Sequence, residues 1–174
     1  MTNEEILNNE YHMACENYSD IFEHVPVLHN LAKECGSVTE LGVRTGISTR
    51  GFLCLDNIRL RSYDLYKDEY VDTLFEKAKS LGRDVEYIVG DSLKIEIEPT
   101  DMMFVDTDHT YSQVTKELEL HASKVKKYIG FHDTDVYASE VLAAVVNFMM
   151  KNREWQFHYF TKRNNGLTII KRIA

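Results

Sequence analysis

Proline is nearly absent from this chain, with two residues in 174, and glycine is scarce at eight. Long linkers, low-complexity arms and collagen-like repeats are thereby excluded. The three cysteines, Cys15, Cys35 and Cys54, are far apart, odd in number and form no CxxC pair. This argues against a disulfide framework and against a zinc site, and it fits a reducing, cytoplasmic setting. No apolar run approaches the ~20 residues that span a bilayer, so no membrane partner is expected. The opening MTNEEILNNEYHMACENY is too acidic and polar for a secretory signal. Positive charge is also in deficit: 20 Lys and Arg against 28 Asp and Glu leave a formal net charge of −8. Such a surface repels phosphate backbones and disfavours nucleic acid as a partner. Lys162, Arg163, Lys171 and Arg172 form only a short basic group, which reads as a solvated strand end.

What is present is an ordinary globular apolar share, 44%, and a length suited to one domain over residues 1–174. Apolar positions at helical spacing predict helices over 3–17 and 24–35, with Gly36 as a stop. From residue 37 short strands alternate with helices. Val38 to Leu41, Arg61 to Leu65, Val85 to Val89, Met102 to Val105 and Tyr128 to Phe131 read as strands. Residues through Phe52 and Leu53, then 69–81, 111–125 and 138–150, read as helices. Trp155 to Phe160 and Leu167 to Ile170 close the chain as a hairpin around Asn164, Asn165 and Gly166. The pattern predicts an α/β, Rossmann-like three-layer sandwich: a mostly parallel seven-stranded sheet, its last strand antiparallel, over 36–174, preceded by N-terminal helices over 1–35. Only residues 91–101 join the third and fourth strands, too few for a full crossover helix, so a loop is expected there.

Ligands of an open α/β sheet bind beyond the C-terminal strand ends. After the first strand comes Glu40-Leu-Gly42-Val-Arg-Thr-Gly46-Ile-Ser48. Its G-x-x-x-G spacing lacks the middle glycine that seats a dinucleotide pyrophosphate. Gly42 permits a sharp turn, and Gly46 a close backbone approach to a ligand. After the second strand comes Asp64, 22 residues beyond Gly42, where a carboxylate can accept two ribose hydroxyls. Asp91 and Ser92 follow the third strand, suited either to an adenine or to capping a turn. After the fourth and fifth strands come Asp106, Asp108 and His109, and His132, Asp133 and Asp135. These acids and imidazoles can hold a divalent cation, or they can serve as strand and helix caps.

Taken together, ELGVRTGIST at 40–49, YDL at 63–65, GDS at 90–92, VDTDHTY at 105–111 and FHDTD at 131–135 resemble the small S-adenosylmethionine (SAM)-dependent O-methyltransferases of class I, over about residues 36 to 172. The resemblance implies SAM as cofactor, with Glu40, Gly42, Gly46 and Ser48 around its methionine part. It implies Asp64 on the ribose, Asp91 and Ser92 on the adenine, and Asp106 bordering the same site. It further implies a cation such as Mg2+ on Asp106, His132 and Asp133, and His109 as general base beside a catalytic Asp106. Two departures stand out. His132 occupies a place more usual for an acid or amide, and imidazole suits softer metals. Lys126-Lys127-Tyr128-Ile129-Gly130 stands where a double-glycine turn is usual before the fifth strand.

On this reading an activated methyl passes in line to a hydroxyl of a small-molecule acceptor, and the protein aligns that acceptor and removes its proton. Residues 1–35 are expected either to form a partial lid, through Tyr11, His12, Tyr18, Phe22 and His24, or simply to pack. Edge strands and the apolar 141–150 helix leave room for a homodimer. The rival readings are a non-catalytic module that binds SAM or S-adenosylhomocysteine, an NAD-dependent oxidoreductase and, against the charge balance, a nucleic-acid methyltransferase.

Overall fold

The computed structural model describes residues 1–173. One seven-stranded sheet runs in the order β3-β2-β1-β4-β5-β7-β6. Its strands are β1 Ser37–Leu41, β2 Arg59–Asp64, β3 Val85–Val89, β4 Thr100–Val105, β5 Val125–His132, β6 Trp155–Thr161 and β7 Leu167–Arg172. The five strands from β3 to β5 pair in parallel, and β7 lies antiparallel between β5 and β6. The order reverses between β1 and β4, which makes the crevice beyond their C-terminal ends the natural ligand site.

Helices α1 Asn3–Glu16, α2 Val25–Ala32, α3 Ile47–Leu53 and α4 Glu69–Ser80 serve one face of the sheet. Their buried Leu7, Leu28, Phe52 and Leu74 join Val38, Leu60 and Phe104 in one core. Helices α5 Tyr111–His121 and α6 Ala143–Lys151 serve the other, where Val114, Leu118 and Val145 meet Met103, Ile129 and Phe131. β1 is buried along its whole length, the mark of a central strand covered on both faces. Helix starts follow ordinary capping chemistry. Thr2 and Glu5 form a reciprocal capping box on α1, Asp68 caps α4 through Val71 N–H, and Thr110 caps α5 through Gln113 N–H.

Several boundaries move. β2 begins two residues earlier than the sequence pattern suggests and ends at Asp64. Residues 126–130 form no turn before the fifth strand, because they lie inside β5 itself. The reason lies just upstream: α5 ends at His121, a short 3-10 turn covers Ala122–Lys124, and β5 starts at Val125. The stretch from 138 opens with a π-helical turn, Ala138–Leu142, before α6. The 91–101 connection carries no helix, as its length required; Ile97 is its buried anchor.

The N-terminal helices pack. α1 lies against α3 and α4, with Glu10 paired to Arg50 and bonded by Tyr70. Tyr11 stacks on His29, and His24 is fully buried with Nε2 on the Asn164 carbonyl at 2.9 Å. The buried His24 is not open to an acceptor. Of the first 24 residues, 19–24 reach the strand tips. Among the described residues all three cysteines are free thiols, and no helix is long and apolar enough to cross a membrane.

Candidate functional site

The tips of β1 to β4 surround one cleft of about 560 Å³, lined by Gly42, Asp64, Leu65, Asp91, Leu93, Asp106 and Gln113 among others. Asp64 and Asp91 thus open on a common space. A second groove, about 230 Å³ between α5, α6 and Trp155, lies far from these strand tips and carries none of the sequence-derived site residues.

The first loop is built from inside. Glu40, in the middle of a wholly buried strand, is 0% exposed. Its carboxylate accepts from Ser48 Oγ at 2.6 Å, Thr49 Oγ1 at 2.9 Å and Ser62 Oγ at 2.6 Å. Burial pushes it up to about 7 against those three hydroxyls. Glu40 and Ser48 are therefore occupied with each other, beneath the loop rather than on the face of the large cleft. Gly42, at φ +89°, has no room for a Cβ because the Asp106 carbonyl is already there. Gly46 stands at the start of α3. At φ +72° it caps α3, and the space a side chain would take holds Val71 of α4.

Asp64 closes the same loop. Its Oδ2 accepts from Val43 N–H at 2.7 Å and Arg44 N–H at 2.8 Å, which holds Arg44 at φ +50°. Its Oδ1 carries a longer contact, 3.3 Å, from Tyr66 N–H. Asp91 is tied to Leu93 N–H at 2.9 Å and to Lys94 at 2.7 Å; the Lys94 ammonium holds its carboxyl below the ordinary value. Ser92 turns inward: its hydroxyl donates to Glu117 Oε1 at 2.6 Å, so its hydrogen is not free for a purine ring. Glu117 is fully buried and also accepts from Thr107 and Gln113. Glu117 and Gln113 were not among the expected site residues. A trace existed, since Val114, Glu117, Leu118 and His121 share one helical face, and a carboxylate there needs buried partners.

The second half of the site is ionic. His109 Nε2 lies 2.8 Å from Asp133 Oδ2 and 3.7 Å from Asp106 Oδ1. His132 Nδ1 lies 3.3 Å from Asp106 Oδ1 and 3.2 Å from Asp133 Oδ2. The Asp106 and Asp133 carboxylates raise His109 above its ordinary value against the effect of burial. Burial acts to lower His132, but the same carboxylates outweigh it and push His132 up to about 10. Burial also opposes the charge on Asp106, yet His109 and His132 hold its carboxyl well below the usual range. Asp133 takes φ +58°, a left-handed position for a non-glycine residue, at the turn after β5. Tyr137 stacks on His109, ring centres 4.6 Å apart.

The expected cation set of Asp106, His132 and Asp133 is brought together at the strand tips, and His109 lies beside the same two acids. The three donors that lie within 4.8 Å of one another belong to Asp106, His109 and Asp133. His132 Nδ1 faces the same two carboxylates and has no hydrogen-bond partner among the described residues, while its Nε2 points at the Asp20 carbonyl, 3.0 Å, and the Asn164 carbonyl, 3.3 Å. Asn164 also accepts from Glu23 N–H and donates to the Ser19 carbonyl, while Arg44 pairs with Asp20 at 2.8 Å. The β6–β7 turn and residues 19–24 thus clamp the far side of the cluster. Asp133 Oδ1 is buried with no hydrogen-bond partner among the described residues. An orphaned carboxylate oxygen beside a second acid and an imidazole is a donor set that a divalent transition cation fits.

A family model described as "Methyltransferase domain" matches residues 39–134. No curated protein matches the chain. Among solved structures, a candidate O-methyltransferase from Klebsiella pneumoniae is similar at 15% identity, over 99% of this chain and 90% of that one, with a TM-score of 0.68. The N-methyltransferase NodS from Bradyrhizobium japonicum, in complex with S-adenosylhomocysteine, is similar at 11% identity over the whole of both chains, TM-score 0.66. The O-methyltransferase TomG from Streptomyces achromogenes, in complex with SAM, is similar at 16% identity over 97% and 89%, TM-score 0.65. At these identities the likeness is one of fold.

Proposed function

The chain belongs to the methyltransferase-domain family and has the fold of SAM-dependent methyltransferases, and on that premise we propose that it methylates a hydroxyl of a small-molecule acceptor. The observation that carries this reading is the position of Asp106. It lines the 560 Å³ cleft on one side and pairs with the two imidazoles on the other. A cofactor seated by Gly42, Asp64 and the Asp91 turn would therefore border His109. Bound SAM supplies an already activated methyl group, so what remains for the protein is alignment and proton removal.

His109 is the residue for the proton. Its Nε2–H donates to Asp133, which orients the ring and leaves Nδ1 as the accepting nitrogen. Tyr137 fixes the ring plane by stacking. Asp106 and Asp133 stabilise the imidazolium once it forms. Turnover of SAM with hydroxyl-bearing acceptors tests this: His109→Ala and Asp106→Ala are each expected to lower the rate, and an untouched rate in both would overturn the assignment.

The orphaned Asp133 Oδ1 favours one second reading, a divalent cation held by Asp106, His109 and Asp133. Such an ion would supply positive charge next to the acceptor hydroxyl. The two readings exclude each other at His109: if Nε2 ligates, the ring proton sits on Nδ1, which then has no lone pair with which to accept another. Chelation separates them. Loss of turnover in EDTA, restored by Mn2+ or Mg2+, supports the cation; unchanged turnover supports the free imidazole.

A further inference from the structure

The sheet ends in two unlike edges. β3 is short and carries Glu86, which pairs with Arg61 at 3.6 Å. β6 is longer, Trp155-Gln-Phe-His-Tyr-Phe-Thr161, and holds no acid, lysine, arginine or proline. Among the described residues it pairs with β7 alone, so its outer side is an open edge. Phe157, Tyr159 and Phe160 stand exposed on it. An uncharged edge strand of this kind accepts a further strand unless something covers it. The register with β7 shifts between Phe157 and Tyr159, and the bulge changes which side chains share a face. Phe157 and Phe160 lie opposite Ile170 and Thr168, on the side covered by α6, where Val146 and Met150 are also exposed. Gln156, Tyr159 and Thr161 lie opposite Lys171, Ile169 and Leu167, on the other side. Two phenylalanines three positions apart thus share one face, which an unbroken strand does not allow. Glu154 precedes the strand and Arg163 follows it. Each is only loosely paired within the chain, Glu154 with Arg172 and Arg163 with Glu23, both at 3.9 Å.

We propose that β6 is the contact edge of a homodimer, to which β6 of a second copy adds antiparallel about a two-fold axis perpendicular to the sheet. Such a contact is self-complementary, so the same residues serve both copies. One register meets both the pleat and the charges. It sets Phe157 opposite Phe160 of the second copy, Gln156 opposite Thr161, and Glu154 opposite Arg163. A slip of one residue turns opposite side chains to different faces. A slip of two either repeats that conflict at Tyr159 and Phe160 or sets Arg153 against Lys162. The occupant is a second copy because this pairing joins Glu154 of each chain to Arg163 of the other, in a molecule whose net charge of −8 otherwise repels its own kind. Arg163 adjoins Asn164, so the contact reaches the clamp behind His132.

The test is sedimentation velocity of the full chain. From about 5 to 200 µM the wild type is expected to pass reversibly from monomer to dimer, as a contact of modest area gives. Phe157→Lys, which places a charge on the open edge, is expected to weaken the dimer by about tenfold or more. Glu154→Arg and Arg163→Glu each set like charges together at both ends of the contact, and each is expected to weaken it by about tenfold. Combined, they exchange the signs of the pair and should restore the affinity to within about threefold of the wild type. Phe157 and Arg163 are exposed and Glu154 partly so, and circular dichroism checks that each variant folds. If Glu154→Arg does not fold, Phe157→Lys and Arg163→Glu decide. A wild type that stays monomeric throughout overturns the proposal. So does a dimer indifferent to Phe157→Lys, or assembly that runs past two copies. A double variant as weak as the single ones overturns the pairing of Glu154 with Arg163 and the register built on it.

Discussion

The two halves of the site use carboxylates in opposite ways. On the β1–β3 side, Glu40, Asp64 and Glu117 accept from hydroxyls, an amide side chain and backbone N–H groups. These donors cannot titrate, so that half is a fixed scaffold whose acids hold backbone and side chains in place. On the β4–β5 side, Asp106 and Asp133 face imidazoles, and one carboxylate oxygen has no partner. Here the acids hold charge rather than shape. Proton or cation chemistry is favoured where titratable groups face one another, and of the two halves only the second pairs acids with imidazoles.

Substitutions can break this contrast. The largest effect is expected from His109→Ala: turnover should fall by about 10²-fold or more, while affinity for S-adenosylhomocysteine, measured by titration, stays within about threefold of the wild type. A matching loss of affinity would show that the halves are not separable. Next comes Glu40→Ala, which strands the hydroxyls of Ser48, Thr49 and Ser62 in the core. It should cost about 2–3 kcal/mol of unfolding free energy, measured by urea denaturation, and weaken the cofactor through the loosened loop. Asp64→Ala, which frees the Val43 and Arg44 amides on a partly exposed loop, should weaken S-adenosylhomocysteine by about tenfold, with a stability loss of about 1 kcal/mol. If Asp64→Ala proved the more destabilising of the two, the scaffold would lie at the rim rather than beneath it.

The smallest effect concerns pH. His24, His29 and His121 are buried, each bonded to a backbone carbonyl, and burial, the largest influence on each, pushes them below the ordinary imidazole value. The unfolded chain takes up protons near pH 6.5 that these folded imidazoles resist. Their contribution to stability is therefore present above about pH 6.5 and is lost as the pH falls below it. Buried Glu40, pushed up to about 7, acts in the opposite sense over the same window, so the contribution is read as a difference: between about pH 7 and 5 the wild-type unfolding midpoint should fall relative to that of His29→Asn.

The fold was largely legible because strand and helix periods alternate cleanly from residue 37, and because the acids at strand ends fall in the order a doubly wound sheet requires. The boundary of β5 was not, since Lys126 and Lys127 look like a turn when read locally; β5 starts at Val125 opposite Thr100 of β4, and the two lysines fall in the register shift before Tyr128 pairs with Met102. The site residues were legible as a set, but their partners less so. Glu117 meets Ser92 across 25 positions and Thr107 across 10. His132 finds its carbonyls 112 and 32 positions away. Partners that far apart in sequence are invisible to a local reading of FHDTD at 131–135. The 19–24 segment was grouped with the helices before it, yet it closes the ionic half while α1 packs elsewhere.

The clamp made by Asn164 has a consequence in time as well as in space. During synthesis β4 and β5 emerge with Asp106, His109, His132 and Asp133, but the carbonyl that steadies His132 from the last hairpin arrives only with residue 164. Until then the imidazole beside the two acids has only the Asp20 carbonyl at its Nε2. The scaffold half, contained within residues 37–121, can mature first. The reactive half is completed last, when the final hairpin docks, so a nascent chain would acquire its cofactor seat before its chemistry.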